Sequence, residues 1–305
     1  MSKASKRKQQ TRPRQMSRWL ILSGVIVLGL ALGGWWLYAR NPAQSGNAQP
    51  LSRLSTRDFH SLAFSPTEPD TVFFGHHDGL LVSRDGGRTW RSTALQNADA
   101  MALAAPAANP QVMYAAGHDV FLKSTDAGQT WQPVGTNLPG TDMHGFAVDP
   151  QDASHVYTHV VGSGIFSSQD GGTTWTLLSS TVPDSTFNLA VGETAQTLYA
   201  TAGQAGLWRS TDGGRSWSTV AGVPGGGAVA LAYSPANKRQ YVTTLGNEAG
   251  LYASDDGGAT WTPLGLKGAL LAIAVSPQDP NHLIAVNDKG DIYASRGSGL
   301  TWPNK

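Results

Sequence analysis

The sequence contains no cysteine among its 305 residues. This absence excludes disulfide bonds, a thiol nucleophile and a zinc site with thiolate ligands, so the fold must rest on its apolar core. Charged residues make up only 14% of the chain. Glycine and proline are abundant instead, with 36 and 17 residues, and this composition is typical of a turn-rich all-β protein.

Residues 1–40 contain no acidic side chain, but they hold eight of the 22 lysines and arginines. The rest of the chain therefore carries 14 bases against all 21 acids. An acidic body is poorly suited to neutralising phosphates, so the sequence predicts no nucleic-acid partner.

Residues 19–39, WLILSGVIVLGLALGGWWLYA, contain no charged side chain. At a rise of about 1.5 Å per residue, a helix of this length crosses a hydrocarbon layer of about 30 Å. Bases are concentrated before this stretch, so the positive-inside rule predicts a cytoplasmic tail at 1–18, an anchor in the cytoplasmic membrane at 19–39, and an exported domain, periplasmic or extracellular. A cleaved signal peptide is the alternative, but its apolar region would be shorter, about 7–15 residues. The polar residues 40–56 are interpreted as a linker.

An eight-residue pattern, SRDGGRTW at residues 83–90, recurs along the rest of the chain. Four copies keep its serine, aspartate and tryptophan: STDAGQTW (124–131), SQDGGTTW (168–175), STDGGRSW (210–217) and SDDGGATW (254–261). A sixth copy, SRGSGLTW (295–302), has Gly297 in place of the aspartate. The closing tryptophans are 41–44 residues apart, which indicates six structural repeats.

Each repeat contains three short apolar segments and begins a fourth at its tryptophan, with no helical pattern between them. Four strands per repeat predict an all-β fold, a six-bladed β-propeller of four-stranded blades at residues 57–305, preceded by one transmembrane helix. The chain ends three residues after Trp302, which leaves the sixth blade without an outer strand. We expect PLSRLST (50–56) to pair there and close the ring.

The octapeptide has a structural explanation as a hairpin turn. Its glycines allow positive φ, its aspartate accepts hydrogen bonds from turn amides, and its tryptophan buries apolar surface at the start of the next strand. The pattern resembles the Asp-box, or BNR repeat, of sialidases, sortilin-type receptors, photosystem II assembly propellers and glycoside hydrolases that act on xyloglucan. The resemblance implies a propeller fold and a functional site on the rim opposite the boxes. The structural Asp-box residues are Asp85, Trp90, Asp126, Trp131, Asp170, Trp175, Asp212, Trp217, Asp256, Trp261 and Trp302.

Histidines and aspartates are concentrated on that opposite rim, in the first three blades. The rim is formed by the loops that join second to third strands and by those that lead into each first strand, and we call it the histidine rim. Its candidate ligand-binding residues are Asp58, His60, His76, His77, Asp78, His118, Asp119, Asp142, His144 and His159.

Three interpretations of this cluster remain open from the sequence. The side chains can be ordinary polar surface or channel residues, they can bind a sugar or peptide, or they can bind a divalent metal ion through His60, His77, His118 and His144. No local metal motif such as H-E-x-x-H is present. No cofactor is therefore assigned beyond this possible metal.

A catalytic function is not favoured by the sequence. Sialidases use an arginine cluster on this rim, whereas most arginines of residues 57–305 lie in or beside the boxes. We therefore expect a membrane-anchored, extracytoplasmic binding or assembly module for a protein or a glycan. The alternative is a glycoside hydrolase other than a sialidase, which would use paired aspartates of the histidine rim about 5–9 Å apart.

Overall fold

The computed structural model describes residues 48–303. The expected cytoplasmic tail, the membrane anchor and residues 40–47 of the linker lie outside the described residues. Within residues 48–303, helical structure is a 3₁₀ turn at Gly246–Glu248, and no helix there has the length and hydropathy needed to cross a membrane.

The described residues form six four-stranded antiparallel sheets, which confirms the predicted six-bladed propeller. The first strand of each blade lies innermost and the fourth lies at the outer edge. The strands up to the end of the third blade are β1 (Ser52–Arg53), β2 (Ser61–Phe64), β3 (Val72–His76), β4 (Gly79–Ser83), β5 (Arg91–Gln96), β6 (Ala102–Ala104), β7 (Met113–Gly117), β8 (Val120–Ser124), β9 (Gln132–Pro133), β10 (Met143–Asp149), β11 (Asp152–Val160), β12 (Gly164–Ser168) and β13 (Thr176–Ser179).

The remaining three blades follow the same order. Their strands are β14 (Asn188–Val191), β15 (Leu198–Thr201), β16 (Leu207–Ser210), β17 (Ser218–Thr219), β18 (Ala228–Ser234), β19 (Arg239–Thr244), β20 (Gly250–Ser254), β21 (Thr262–Lys267), β22 (Leu270–Val275), β23 (Leu283–Asn287) and β24 (Asp291–Ser295).

The ring closes by pairing the start of the propeller with its end. Strand β1 lies antiparallel to β24, and together they complete the sixth sheet in the order β1, β24, β23, β22. Leu54, buried at 4% exposure, continues this edge by donating its N–H to the Gly290 carbonyl at 2.8 Å. Residues 51–54, placed in the linker on composition, are therefore the outer edge of the last blade, because β24 pairs with β23 on one side and its other edge accepts β1.

A fixed set of hydrogen bonds builds each Asp-box turn. In the first box, the Ser83 hydroxyl donates to Asp85 Oδ1 and accepts the Gly87 N–H, both at 2.8 Å. Asp85 also accepts the Thr89 N–H at 2.8 Å and the Thr89 hydroxyl at 2.6 Å. The serine, aspartate and amide bonds recur in the boxes that begin at Ser124, Ser168, Ser210 and Ser254.

These bonds stabilise the ionised carboxylates. Hydrogen bonds from the residue four positions later lower the pKa of Asp126, Asp170 and Asp256 to about 2. The box aspartates are therefore acceptors held in place by the turn, as the sequence predicted.

Each box tryptophan packs against the blade that precedes its own. Trp175 of the third blade contacts Phe121 of the second, with ring centroids 5.9 Å apart. Trp90 of the first blade packs in the apolar cluster that includes Ile284 and Ile292 of the sixth. The described residues contain six apolar clusters at the six blade interfaces, each with one box tryptophan. The octapeptide thus joins neighbouring blades as well as closing its own hairpin.

The sixth box, which lacks the aspartate, keeps only part of this arrangement. The Gly299 N–H still donates to the Ser295 hydroxyl at 3.0 Å. The Trp302 indole donates to the Leu264 carbonyl of the fifth blade at 2.7 Å, whereas the indole of Trp90 donates to a glycine carbonyl within its own box. In this box, contact with the preceding blade therefore stabilises the turn, a role that the carboxylate has in the other boxes.

Two box residues with a Cβ, Ala127 and Ser298, are strained by a positive φ, and Ala127 provides a test of the turn. Ala127 has φ of +58°, at the position where the first box has Gly86 with φ of +71°. A left-handed conformation costs a residue with a Cβ about 1–2 kcal/mol. Relief of this strain, less the entropic cost of glycine, should make Ala127→Gly more stable than wild type by about 1 kcal/mol in free energy of unfolding. Urea denaturation followed by tryptophan fluorescence measures the difference.

Gly86→Ala is the matched control, and we expect it to lower the free energy of unfolding. A Cβ at Gly86 would meet its nearest atoms at an ordinary 3.6 Å, so backbone strain is its main effect. Equal stability of wild type and both variants would contradict the account of the turn.

Candidate functional site

Seven side chains on the histidine rim form a continuous row across the first three blades. Aspartates and imidazoles alternate along much of it, and we call it the histidine ribbon. Its members, in chain order, are Asp58, His60, His77, Asp99, His118, Asp142 and His144.

The repeat explains why these residues meet. His60 and His144 occupy the same position of the first and third blades, at the inner strand, and an aspartate lies two residues before each. His77 and His118 are the first residues of the two-residue turns that join β3 to β4 and β7 to β8. Because adjacent blades are arranged around one ring, equivalent positions become neighbours on the rim.

The first half of the ribbon is centred on His77. Its Nδ1 lies 2.8 Å from Asp58 Oδ2 and 3.0 Å from His60 Nε2. Asp58 also accepts the backbone N–H of His77 at 2.9 Å. On its other side, His77 Nε2 lies 3.6 Å from Asp99 Oδ2 of the second blade.

The second half is centred on His118. Its Nδ1 lies 2.6 Å from Asp99 Oδ2, and its Nε2 lies 3.2 Å from Asp142 Oδ1 and 3.1 Å from His144 Nε2. Asp142 Oδ1 is also 2.9 Å from His144 Nε2. The rings of His77 and His118 are parallel, with an interplanar angle of 7° and centroids 6.1 Å apart, so the two halves are continuous.

Burial and hydrogen bonding set the charges of the ribbon. Burial lowers the pKa of His60 and of His144, which favours neutral rings. The hydrogen bond to Asp58 raises the pKa of His77. Burial by itself would raise the pKa of Asp58, but hydrogen bonds from the amide and ring of His77 outweigh it, and the pKa is lowered.

Four predicted rim residues lie outside the ribbon. His76 is buried, and its Nδ1 accepts the N–H of Asp78 at 3.2 Å, so both residues shape the first turn. Asp119 has a positive φ of 55° and accepts the Thr141 hydroxyl, which is also a turn role. His159 is fully buried within β11, and burial lowers its pKa to about 4.

Two residues that sequence reasoning missed complete the rim. Asp99 bridges His77 and His118 with a side chain that is only 11% exposed. Phe187 is 46% exposed, and its ring stacks on His144 with centroids 6.4 Å apart. Aligning the repeats would have found both, because Asp99 occupies the position of Asp58, and Phe187 that of His144.

Other expectations are refined by the geometry. No grouping among residues 48–303 brings all four candidate imidazoles within ligand distance of one point; three overlapping groups of three residues form instead. Arg57 directly precedes Asp58 and so adjoins the ribbon along the chain. The central channel is a cavity of about 470 Å³ lined mainly by the inner strands, with His60 among the lining residues.

The first half of the chain resembles a known family. The family model "Photosynthesis system II assembly factor YCF48" matches residues 52–190, a range that contains the whole ribbon. No curated protein sequence matches the chain significantly.

Several solved structures share the fold. The GH74 enzyme of Niastella koreensis superposes with a TM-score of 0.61 at 21% identity, and the GH74 xyloglucanase of Xanthomonas campestris with 0.59 at 19%. Each comparison covers 84% of this chain but 46% of the enzyme, so the chain spans less than half of their length. A chain of the nidogen/laminin complex gives a TM-score of 0.62 at 13% identity, covering 76% of this chain and 91% of that one. At these identities the likeness concerns the fold alone.

The Asp58 contact makes a prediction about His77. We expect Asp58→Asn to lower the pKa of His77, because the charged acceptor that stabilises the imidazolium is removed. Histidine ring NMR over a pH series, in buffer with a chelator, measures the shift. Asp78→Asn is the matched control, since this neighbouring exposed carboxylate acts on the same ring more weakly than Asp58 does. An unchanged His77 pKa in Asp58→Asn would contradict the assigned contact.

Proposed function

Because the chain belongs to the Asp-box (BNR-repeat) β-propeller superfamily, whose fold carries many unrelated functions, we propose a function from its site: it is a binding module that holds a protein segment on the histidine rim. The observation that carries this proposal is the continuous ribbon, which crosses three blades and stays open to solvent. The side chains of His77, His118 and Asp142 are 43–45% exposed. An extended ligand can therefore contact all three blades at once.

The charges of the rim favour a cationic ligand. Three carboxylates lie along the ribbon, whereas burial lowers the pKa of His60 and His144 and leaves those rings largely neutral near pH 7. Negative potential on an exposed rim attracts lysine or arginine side chains.

The fourth to sixth blades add an apolar area next to the ribbon. At the position that His60 and His144 occupy in their blades, these blades have Phe187, Val229 and Leu271. Exposed Phe187, stacked on His144, is the natural contact for an apolar side chain of the ligand. We therefore propose a peptide ligand that carries both a basic and an apolar residue.

Two alternatives use the same surface. A glycan could stack on Phe187 and bond to the carboxylates. A glycoside hydrolase would need one rim carboxyl group that stays protonated to act as the acid, and this is disfavoured for Asp58, whose pKa is lowered. Each ribbon carboxylate also contacts an imidazole, which suits an acceptor on a binding surface better than a proton donor.

A binding screen with matched variants tests the proposal. We expect the full-length chain to bind basic, partly apolar peptides on an array, and His77→Ala and Phe187→Ala each to weaken binding at least about tenfold, as loss of a central contact does. Leu300→Ala, on the box rim, is the control for Phe187→Ala, because Leu300 is 44% exposed. The control should bind like wild type.

The screen distinguishes the alternatives. Selective retention of a glycan, or release of reducing sugar from xyloglucan that is lost in Asp99→Asn, would replace the peptide proposal. Equal weakening by Leu300→Ala would assign the binding surface to the other rim.

We also propose that the propeller is displayed outside the cytoplasm on an N-terminal anchor. The uncharged residues 19–39 and the basic residues before them support this placement. In spheroplasts, added protease should degrade the propeller while residues 1–18 stay protected, and the protein should remain in the membrane fraction after a high-salt wash. Release of the propeller as a shorter soluble protein would favour the cleaved signal peptide.

A further inference from the structure

Three potential ligand atoms converge at the end of the ribbon in the third blade: His118 Nε2, Asp142 Oδ1 and His144 Nε2. Their separations are 2.9, 3.1 and 3.2 Å. We propose that this triad binds one divalent transition-metal ion, with Asp99 as the residue that positions His118. This site is independent of the peptide proposal, because metal binding needs no peptide and is measured without one.

The separations fit the coordination distances of such an ion. Zinc binds imidazole nitrogen and carboxylate oxygen at about 2.0–2.2 Å, so two ligands of a tetrahedral ion lie about 3.3 Å apart. All three edges of the triad come within a few tenths of an ångström of this value. The ligand atoms therefore need only a small adjustment to surround an ion.

Asp99 fixes the ring of His118 in the state that metal binding requires. His118 Nδ1 lies 2.6 Å from the Asp99 carboxylate, which can only accept when it is ionised, so Nδ1 carries the proton. In the neutral ring, Nε2 then has its lone pair directed at Asp142 and His144. A carboxylate behind a ligating histidine is the arrangement that orients metal ligands in proteins.

The triad also leaves one of its ligand atoms without a hydrogen bond. Asp142 Oδ1 is a buried atom for which no described residue provides a hydrogen bond of normal geometry. The lone pairs of Asp142 Oδ1 and His118 Nε2 face each other at 3.2 Å. A bound cation would turn this repulsive contact into two attractive ones.

The group at the other end of the ribbon is less suited to an ion. Asp58, His60 and His77 have separations of 2.8–3.4 Å, but Asp58 already accepts the His77 amide, and its partner atoms are less evenly spaced. The atom of His77 that faces both His60 and Asp58 is Nδ1, and its hydrogen bond to the Asp58 carboxylate places the proton on that nitrogen, so it has no lone pair to offer an ion.

The donor set and its exposure define the class of ion. Two imidazoles and one carboxylate suit zinc, copper, nickel or iron, and the chain offers no thiolate. His118 and Asp142 are 43% and 45% exposed, which leaves the fourth position accessible to water or to a donor atom of a ligand.

Zinc titration of the purified full-length chain, without a histidine tag and after treatment with a chelator, tests the site. We expect isothermal titration calorimetry to give a zinc site of submicromolar Kd, which His144→Ala abolishes. Asp99→Asn should weaken it about 10- to 100-fold. Asp99→Glu, which keeps the carboxylate, should restore part of the affinity. Visible d–d absorption of bound Co²⁺ should appear in wild type and be lost in His144→Ala, a change that altered stability alone would not produce.

His60→Ala is the matched control, since it removes a half-buried ribbon histidine from the other end. It should keep the tight site, and circular dichroism should show the same fold for all variants. The proposal is overturned if wild type binds zinc no more tightly than about 10 μM, if His144→Ala binds zinc as wild type does, or if His60→Ala abolishes the site. If the wild-type chain binds zinc but binds no peptide, only the peptide proposal is refuted.

Discussion

The contact between each box tryptophan and the preceding blade is the interaction on which the rest of the structure depends. A four-stranded sheet leaves two faces to cover, and the propeller covers them by packing blade on blade. The hydrogen bonds from Ser83 and Asp85 fix the turn that directs Trp90 into the neighbouring blade, and the same arrangement recurs around the ring. The aspartates are therefore structural groups, although their side chains are half-buried or exposed and their carboxylates are ionised.

Closure of the ring brings equivalent positions of the six repeats to the same rim. Strand β1 completes the sixth blade, so all six inner strands surround one channel and equivalent positions face one rim. Next to the inner strands, the first three blades carry Asp58, Asp99 and Asp142, and the first and third also carry His60 and His144. In the last three blades, Phe187, Val229 and Leu271 occupy the position of these histidines. The rim thus has a polar half and an apolar half on a rigid scaffold, a combination that suits recognition of an amphipathic ligand.

The ribbon differs from an ordinary polar surface in how its groups are paired. Asp99, nearly buried, contacts imidazoles of two different blades, and its hydrogen bond fixes the proton on His118. Such pairing gives each carboxylate an imidazole partner and brings potential ligand atoms together at the end of the ribbon in the third blade. The same geometry underlies both a negative binding surface and a candidate metal triad.

The sequence by itself determined the architecture, because the recurring serine, aspartate, glycine and tryptophan report a local turn whose spacing counts the blades. It also determined that residues 50–56 would close the ring, since the last repeat lacks a strand. Only the tertiary structure decided which rim residues meet. Asp99 joined His77 to His118, while His76 and His159 turned into buried positions, because these contacts depend on the rotation between blades and on side-chain direction, which no local pattern records. For the same reason the four imidazoles separated into two pairs.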